Sequence, residues 1–181
     1  MLVIFDLDET ILHTETEGVT YQVTPDFTLD KIWPVYVRPY FHELINWLNN
    51  EGIEIAIWSS GTDSYVRKAI KNAFPEDIKP VLILTRTDCS RVLIDHGMYG
   101  NYHRPRKDLT KIEARGYELN QVLMIEDNPN WIDLQPDNVI EVKPYMVEPG
   151  DDELGKLKKY LSYIIAKPNW PQANKTYGRK V

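Results

Sequence analysis

The sequence predicts an α/β fold: a Rossmann-like, mainly parallel sheet with helices on both faces. Short aliphatic and β-branched runs recur at residues 2–5, 53–58, 81–84, 122–125 and 139–142. Their continuous apolar character is that of strands buried on both sides. Amphipathic helical patterns lie between them, and that alternation implies parallel strands joined by helical crossovers. Acidic or hydroxyl residues collect just past three of the runs, where open α/β sheets hold their ligands.

Taken in order, the first run delivers Asp6, Asp8 and Thr10 in succession. Residues 13–37 break the helical pattern, being Thr-rich with Val19, Tyr21, Val23 and Phe27 at alternating positions. They read as an inserted β-hairpin or flap. The spacing predicts a helix over 40–50 with Phe41, Leu44, Ile45 and Leu48 on one face, and another over 64–74 with Val66, Ile70 and Ala73 inward. Residues 108–115 suggest a further helix. A last helix runs from about 153 to 165 with Leu154, Leu157, Leu161 and Ile164 inward, and Asp151 or Asp152 is expected to cap it. Residues 168–181 carry Lys175, Arg179 and Lys180 without periodicity and read as a basic C-terminal tail behind a single domain of residues 1–167.

Composition narrows the function classes. The 181 residues suffice for one full core, and 43% hydrophobic with 27% charged is ordinary for a globular protein. The net charge of −6 argues against general affinity for duplex nucleic acid. No apolar stretch approaches the roughly 20 residues that span a bilayer. Met1 leads straight into the first run, so no signal or transit peptide is expected, and the chain reads as cytosolic or nuclear. The single Cys89 fits a reducing compartment and lacks the phosphate-cradling loop of a cysteine nucleophile. His13, His42, His96 and His103 form no spaced ligand pair and read as surface or packing residues.

The chemistry gathers past the strand ends. Two carboxylates where a buried strand gives out are costly unless a cation compensates them, although a helix cap or a solvated turn also uses Asp. An EF-hand is a poor fit, because its loop wants Gly where Ile11 stands. A hard divalent ion with one or two carboxylates and a phosphoryl group is the natural occupant. Ser59 and Ser60 follow the second run, Glu126 and Asp127 follow the fourth, and Lys107 lies in the basic stretch Arg104-Pro105-Arg106-Lys107. Phosphoryl transfer needs such parts: a nucleophile in Asp6, an acid and base in Asp8, a hydroxyl and a compact cation for the phosphoryl oxygens in Ser59 and Lys107, and acids in Glu126 and Asp127 that are candidate metal ligands, or of which one binds metal and the other holds Lys107 or a water. Thr10, Ser60, Arg104 and Arg106 are candidate substrate contacts.

These pieces, in this order, resemble the motifs of the haloacid dehalogenase superfamily of Mg2+-dependent aspartate phosphatases. Asp6-Leu7-Asp8-Glu9-Thr10-Ile11-Leu12-His13 is similar to the signature of phosphatases acting on the RNA polymerase II C-terminal domain, the small CTD phosphatases among them. Tyr36-Val37-Arg38-Pro39, Gly100-Asn101-Tyr102, Lys107-Asp108-Leu109 and Pro136-Asp137-Asn138 extend the likeness to about residue 165. The resemblance implies a capless HAD fold with a small β-hairpin insertion near 14–36. It further implies Mg2+ on Asp6, the Asp8 backbone carbonyl and Asp127, with Ser59 and Lys107 on phosphate. The chain departs from the pattern in Glu126-Asp127-Asn128, where Asp-Asp or Asp-Asn is commoner, in Ser59 for Thr, and in the basic insertion 103–106, read as part of a loop.

The resulting expectation is a Mg2+-dependent phosphomonoester hydrolase working through an aspartyl phosphate on phosphoserine or phosphothreonine protein or peptide, as a monomer without a membrane partner. An open, capless site suits a large substrate, and Trp33, Tyr36 and Tyr40 are candidates to line its groove. The alternatives are a phosphatase of nucleic-acid 3′ ends, gripped by Arg104 and Arg106, or of small phosphate esters. A noncatalytic module binding phosphorylated partners is a further alternative, which retention of both Asp6 and Asp8 weighs against, and a phosphoacceptor receiver domain would carry its acids on separate strands.

Overall fold

The computed structural model describes residues 1–95 and 97–167; the expected tail and His96 lie outside the described residues. In chain order the elements are β1 (Leu2–Phe5), β2 (Leu12–Thr14), β3 (Phe27–Leu29), β4 (Trp33–Val37), α1 (Phe41–Asn50), β5 (Glu54–Trp58), α2 (Asp63–Ala73) and β6 (Leu82–Leu84). They continue with β7 (Ser90–Asp95), β8 (Asn101–Arg106), α3 (Thr110–Glu113), β9 (Val122–Glu126), β10 (Val139–Glu141) and α4 (Glu153–Ile165).

The five apolar runs form one parallel sheet in the order β10-β9-β1-β5-β6. From β1 the chain builds outward to β5 and β6 on one side, and later to β9 and β10 on the other. The reversal at β1 opens a crevice past its carboxyl end, where such sheets bind ligands. Register then sets the site: Phe5 lies opposite both Ile57 and Ile125, so Asp6 emerges level with Glu126 and one residue short of Ser59.

The two faces are unequally covered. Val3, Phe5, Ile57, Leu123 and Ile125 pack against the apolar sides of α1, α2 and α4, the helices anticipated from periodicity. The other face, with Leu2, Ile4, Trp58, Val122 and Met124, meets Leu109 at the start of α3, Ile112 within it and Ile132 of a short 3-10 turn, with partly buried Cys89, Tyr117, Leu119 and Trp131 packed around them. The helix expected over 108–115 is thus one turn, capped by Asp108 accepting from the Thr110 amide (3.0 Å), and Gly116 at φ +93° carries the chain away from it.

Two antiparallel insertions rise from the carboxyl edge of the sheet. The expected flap has three strands in the order β2-β4-β3. Its β3–β4 turn places Asp30 and Lys31 at positive φ, the mirror-image geometry of tight hairpins, which sequence normally advertises with Gly or Asn. The second insertion was not anticipated: β7 and β8 pair over their full length, from Ser90 opposite Arg106 to Asp95 opposite Asn101. The basic stretch 103–106, expected in a loop, is therefore strand, and Pro105 is tolerated because a two-stranded ribbon leaves half its backbone donors unpaired.

Buried Arg38, one residue past β4, ties these layers together. It binds Asp151 through Nε and Nη2 (2.9 and 2.8 Å), gives Nη1 to the Thr10 carbonyl (3.1 Å) and lies over the Tyr145 ring. Asp151 also accepts from the Glu153 amide (3.3 Å), so of the two candidate caps it is Asp151 that holds the start of α4.

Candidate active site

The turn after β1 carries the first cluster. Asp6 donates its amide to the Ile125 carbonyl (2.9 Å), which fixes the residue at the strand end with its carboxylate buried. Glu9 adopts φ +61°, a left-handed backbone in which a non-glycine residue is strained, and strain of this kind gathers at functional turns. The turn is held by the Glu9 amide on the Leu12 carbonyl (2.8 Å) and the Tyr145 amide on the Glu9 carbonyl (2.7 Å). Buried His13 accounts for the side chain, with Nδ1 against Glu9 (2.9 Å) and Nε2 against the Tyr21 hydroxyl (3.1 Å), a packing role as expected.

Fully buried Lys107 bonds Asp6 and Glu126, the latter at 2.6 Å. Its amide donates to the Trp131 carbonyl (2.7 Å), which sets the side chain between the two acids. Burial works against the ammonium, and the two carboxylates outweigh it, so Lys107 stays charged. Burial pushes Asp6 up to about 6, opposed by Lys107 and reinforced by Asp8 and Asp127. Burial also raises Glu126, with Asp6 adding to it. One buried cation thus faces several carboxylates, an imbalance that a divalent ion relieves. Oxygen atoms of Asp6, Glu126 and Asp127 lie within 4.8 Å of one another, an all-oxygen donor set of the kind Mg2+ takes. Thr10 bridges the same group, its hydroxyl donating to Asp127 (3.3 Å).

Asp8 has a separate environment. Tyr65 donates its hydroxyl to one carboxylate oxygen and Ser59 donates to the other (3.4 Å). Burial raises its pKa, and the Tyr65 hydrogen bond is the largest opposing influence. Tyr65 also meets the Thr14 hydroxyl (2.7 Å), linking α2 to the flap. Sequence reasoning missed Tyr65; Gly61, four residues earlier, leaves room for its ring, since a Cβ there would stand 2.8 Å from it. Ser59 also accepts the Gly61 amide (2.9 Å), so the loop closes over its own hydroxyl.

The structure brings Asp6, Asp8, Thr10, Ser59, Lys107, Glu126 and Asp127 together. Arg104 and Arg106 stand apart: both are spoken for by Asp133, through contacts of 2.8 and 2.6 Å. One carboxylate shared by two guanidinium groups reduces the positive charge of this pair without cancelling it. Ser60 gives its carbonyl to Arg86 Nε (2.8 Å) at the edge of the cluster. The three aromatic candidates disperse: Tyr36 is buried against Tyr21 and Tyr145, Tyr40 lines a cleft with Gly155 and Lys158, and Trp33 lies exposed in β4. Burial pushes the Cys89 thiol up, consistent with an inert role.

Among the described residues no helix is long and apolar enough to cross a membrane. The chain is 29% identical over 165 residues to CTD small phosphatase-like protein 2 of Dictyostelium discoideum, covering 89% of this chain and 27% of that protein. It is 26% identical over 178 residues to a CTD phosphatase-like protein, 355R, of Invertebrate iridescent virus 3, covering 88% of this chain and 94% of the other. Among solved structures, a haloacid dehalogenase-like hydrolase from Bacteroides fragilis matches with a TM-score of 0.53 at 15% identity, over 81% of this chain and 89% of that one, a likeness of fold. The family model for NLI interacting factor-like phosphatases runs over residues 1–170, from β1 through α4. That span takes in every strand of the parallel sheet and each acid, hydroxyl and lysine past its edge, and the chain belongs to the NLI interacting factor-like phosphatase family.

Proposed function

We propose that the chain is a Mg2+-dependent phosphomonoester hydrolase that acts through an aspartyl phosphate on phosphoserine or phosphothreonine in protein or peptide. The observation that carries this reading is the division of labour between two aspartates: Asp6 sits in the buried acidic cluster against Lys107, and Asp8 lies two residues on with its own hydroxyl partners. Asp6, Asp127 and the Asp8 backbone carbonyl would hold Mg2+, with Glu126 beside them. When bound, the ion supplies the positive charge that lets an anionic nucleophile approach an anionic phosphate.

The chain's own residues perform the rest. An Asp6 oxygen bonds to phosphorus as the bond to the serine or threonine oxygen breaks, and Asp8 passes its proton to that oxygen. Ser59 and Lys107 meet the phosphoryl oxygens as charge spreads over them. Asp8 then takes a proton from water, which attacks the acyl phosphate and frees inorganic phosphate with Asp6 restored. The raised pKa of Asp8 suits the first role, since it keeps a proton available nearer neutrality. The insertions are small sheets rather than a helical cap, which favours a large substrate over a metabolite. Free Cys89 suits the cytosol or nucleus.

The test is hydrolysis of para-nitrophenyl phosphate and a phosphoserine peptide, with Mg2+ and with chelator, by wild type and Asp6→Asn. Turnover that requires Mg2+, disappears in the variant and favours the peptide in kcat/KM supports the reading. Equal use of both esters removes the peptide assignment, and absence of turnover with every divalent metal removes the reaction.

A further inference from the structure

The ribbon of β7 and β8 meets the loop after Ser59 in a second cleft, of about 340 Å3, whose walls include Ser60, Arg86, Ser90, Arg91, His103 and Pro105. Among the described residues no acidic side chain lines it. Arg86 spends Nε on the Ser60 carbonyl and, among the described residues, forms no ion pair; neither does Arg91. Arg104 and Arg106 of the same ribbon, by contrast, share Asp133. Register sets Arg91 opposite Pro105 and Leu93 opposite His103, so Arg91 and His103 occupy one face of the ribbon. In a chain of net charge −6, two guanidinium groups without a carboxylate beside one cleft form a local positive field.

The position of the cleft says what that field is for. Ser60 is covalently next to Ser59, the hydroxyl assigned to the reacting phosphoryl group, so an anion in the cleft lies within reach of a flexible chain whose phosphoserine occupies the site. We propose that this cleft is an anion subsite for a second phosphorylated residue of the same peptide, making a multiply phosphorylated segment the substrate class. The inference rests on the phosphopeptide reading above and narrows it. Guanidinium forks match phosphate oxygens in paired, charge-assisted hydrogen bonds, and a phosphate offers three acceptors to a carboxylate's two. A polynucleotide also carries neighbouring phosphates, but among the described residues lining the cleft only the His103 imidazole offers a ring on which a base would stack, and no Phe, Tyr or Trp does.

Fluorescence anisotropy at fixed ionic strength tests this with the Asp6→Asn chain, which binds without turnover. The probes are labelled peptides with one phosphoserine, or with a second phosphoserine about two to four residues away on either side, an extended chain advancing about 3.3–3.6 Å per residue. A matched set carries glutamate at the second position, and a 3′-phosphorylated single-stranded oligonucleotide completes the series. At the best spacing the doubly phosphorylated peptide is expected to bind ~10-fold tighter than the singly phosphorylated one, the increment of about one charge-assisted hydrogen bond. Arg91→Glu, with Arg91→Ala as the milder change, removes that advantage; Arg91 is exposed, and unchanged thermal midpoints verify the fold. Equal affinity for one and two phosphates at every spacing overturns the subsite, as does an advantage that survives Arg91→Glu. A glutamate peptide equal to the diphosphopeptide overturns the phosphate assignment, and tighter binding of the oligonucleotide overturns the peptide. Wild-type turnover of the singly phosphorylated peptide, measured in parallel, separates the two readings: turnover without a second-phosphate preference defeats the subsite alone, and preference without turnover supports the subsite and defeats the reaction.

Discussion

At the scale of single residues, what distinguishes the two aspartates is the company each keeps. Asp6 is fixed by Lys107 and shares a cluster with Glu126 and Asp127, whereas Asp8 is aimed by Tyr65 and Ser59. Tyr65 acts through Asp8, so its loss should matter most where the leaving group needs a proton. Tyr65→Phe is expected to lower kcat for a phosphoserine peptide by ~10-fold and for para-nitrophenyl phosphate by less than about 3-fold, an increment typical of one hydrogen bond. Steady-state kinetics on both esters check this, and equal losses on both would assign Tyr65 to packing. The sequence carried Asp6, Asp8, Ser59, Lys107 and the acids after β9, because strand ends concentrate chemistry at predictable offsets. Tyr65 was not legible: it lies beside the inward face of an amphipathic helix rather than on it, and only its approach to Asp8 in space reveals its part.

Among elements, the parallel strands were readable because strands buried on both faces leave long aliphatic runs. The ribbon of β7 and β8 was not, since its short apolar run of Val92, Leu93 and Ile94 is flanked by Arg91 and faces the polar stretch from Tyr102 to Arg104, and its order comes from strand pairing and the ion pairs of Arg104 and Arg106 with Asp133. The β3–β4 turn stayed hidden because Asp30 and Lys31 take a conformation usually announced by glycine. The link between the flap and α4 also lies between elements. Arg38 is fully buried with Asp151 as its carboxylate partner, and removing one member of a buried pair leaves an uncompensated charge. Asp151→Ala is expected to destabilise the fold by about 3–5 kcal/mol. Urea denaturation should show a lower midpoint at an unchanged slope, whereas a loss under about 1 kcal/mol would mean that water replaces the carboxylate.

The whole molecule is held at its catalytic edge by a charge imbalance that metal should relieve. Asp6, at about 6, and Glu126 are both raised, burial being the larger cause in each. An acid with a raised folded-state pKa keeps its proton better when folded, so its contribution is fullest at low pH and is lost as pH rises through the folded value. The metal-free protein should therefore lose this contribution as pH rises from the ordinary carboxylate range through about 6. Mg2+ should raise the thermal midpoint more at about pH 7.5 than at about pH 5, because the ligands must be deprotonated to bind it. Scanning calorimetry with and without the ion checks the sign, and a Mg2+ effect independent of pH would separate these acids from the metal.

The central claim is that Asp6 carries the phosphoryl group and Asp8 moves the protons. Acid-quenched single turnover of radiolabelled para-nitrophenyl phosphate by Asp8→Asn tests it most directly, since this leaving group departs without protonation while hydrolysis of the acyl phosphate still needs Asp8. Label accumulating on the peptide that contains Asp6, and absent from an Asp6→Asn, Asp8→Asn double variant, is the predicted result. Turnover by Asp8→Asn with no trapped label, or label on any other residue, would contradict it.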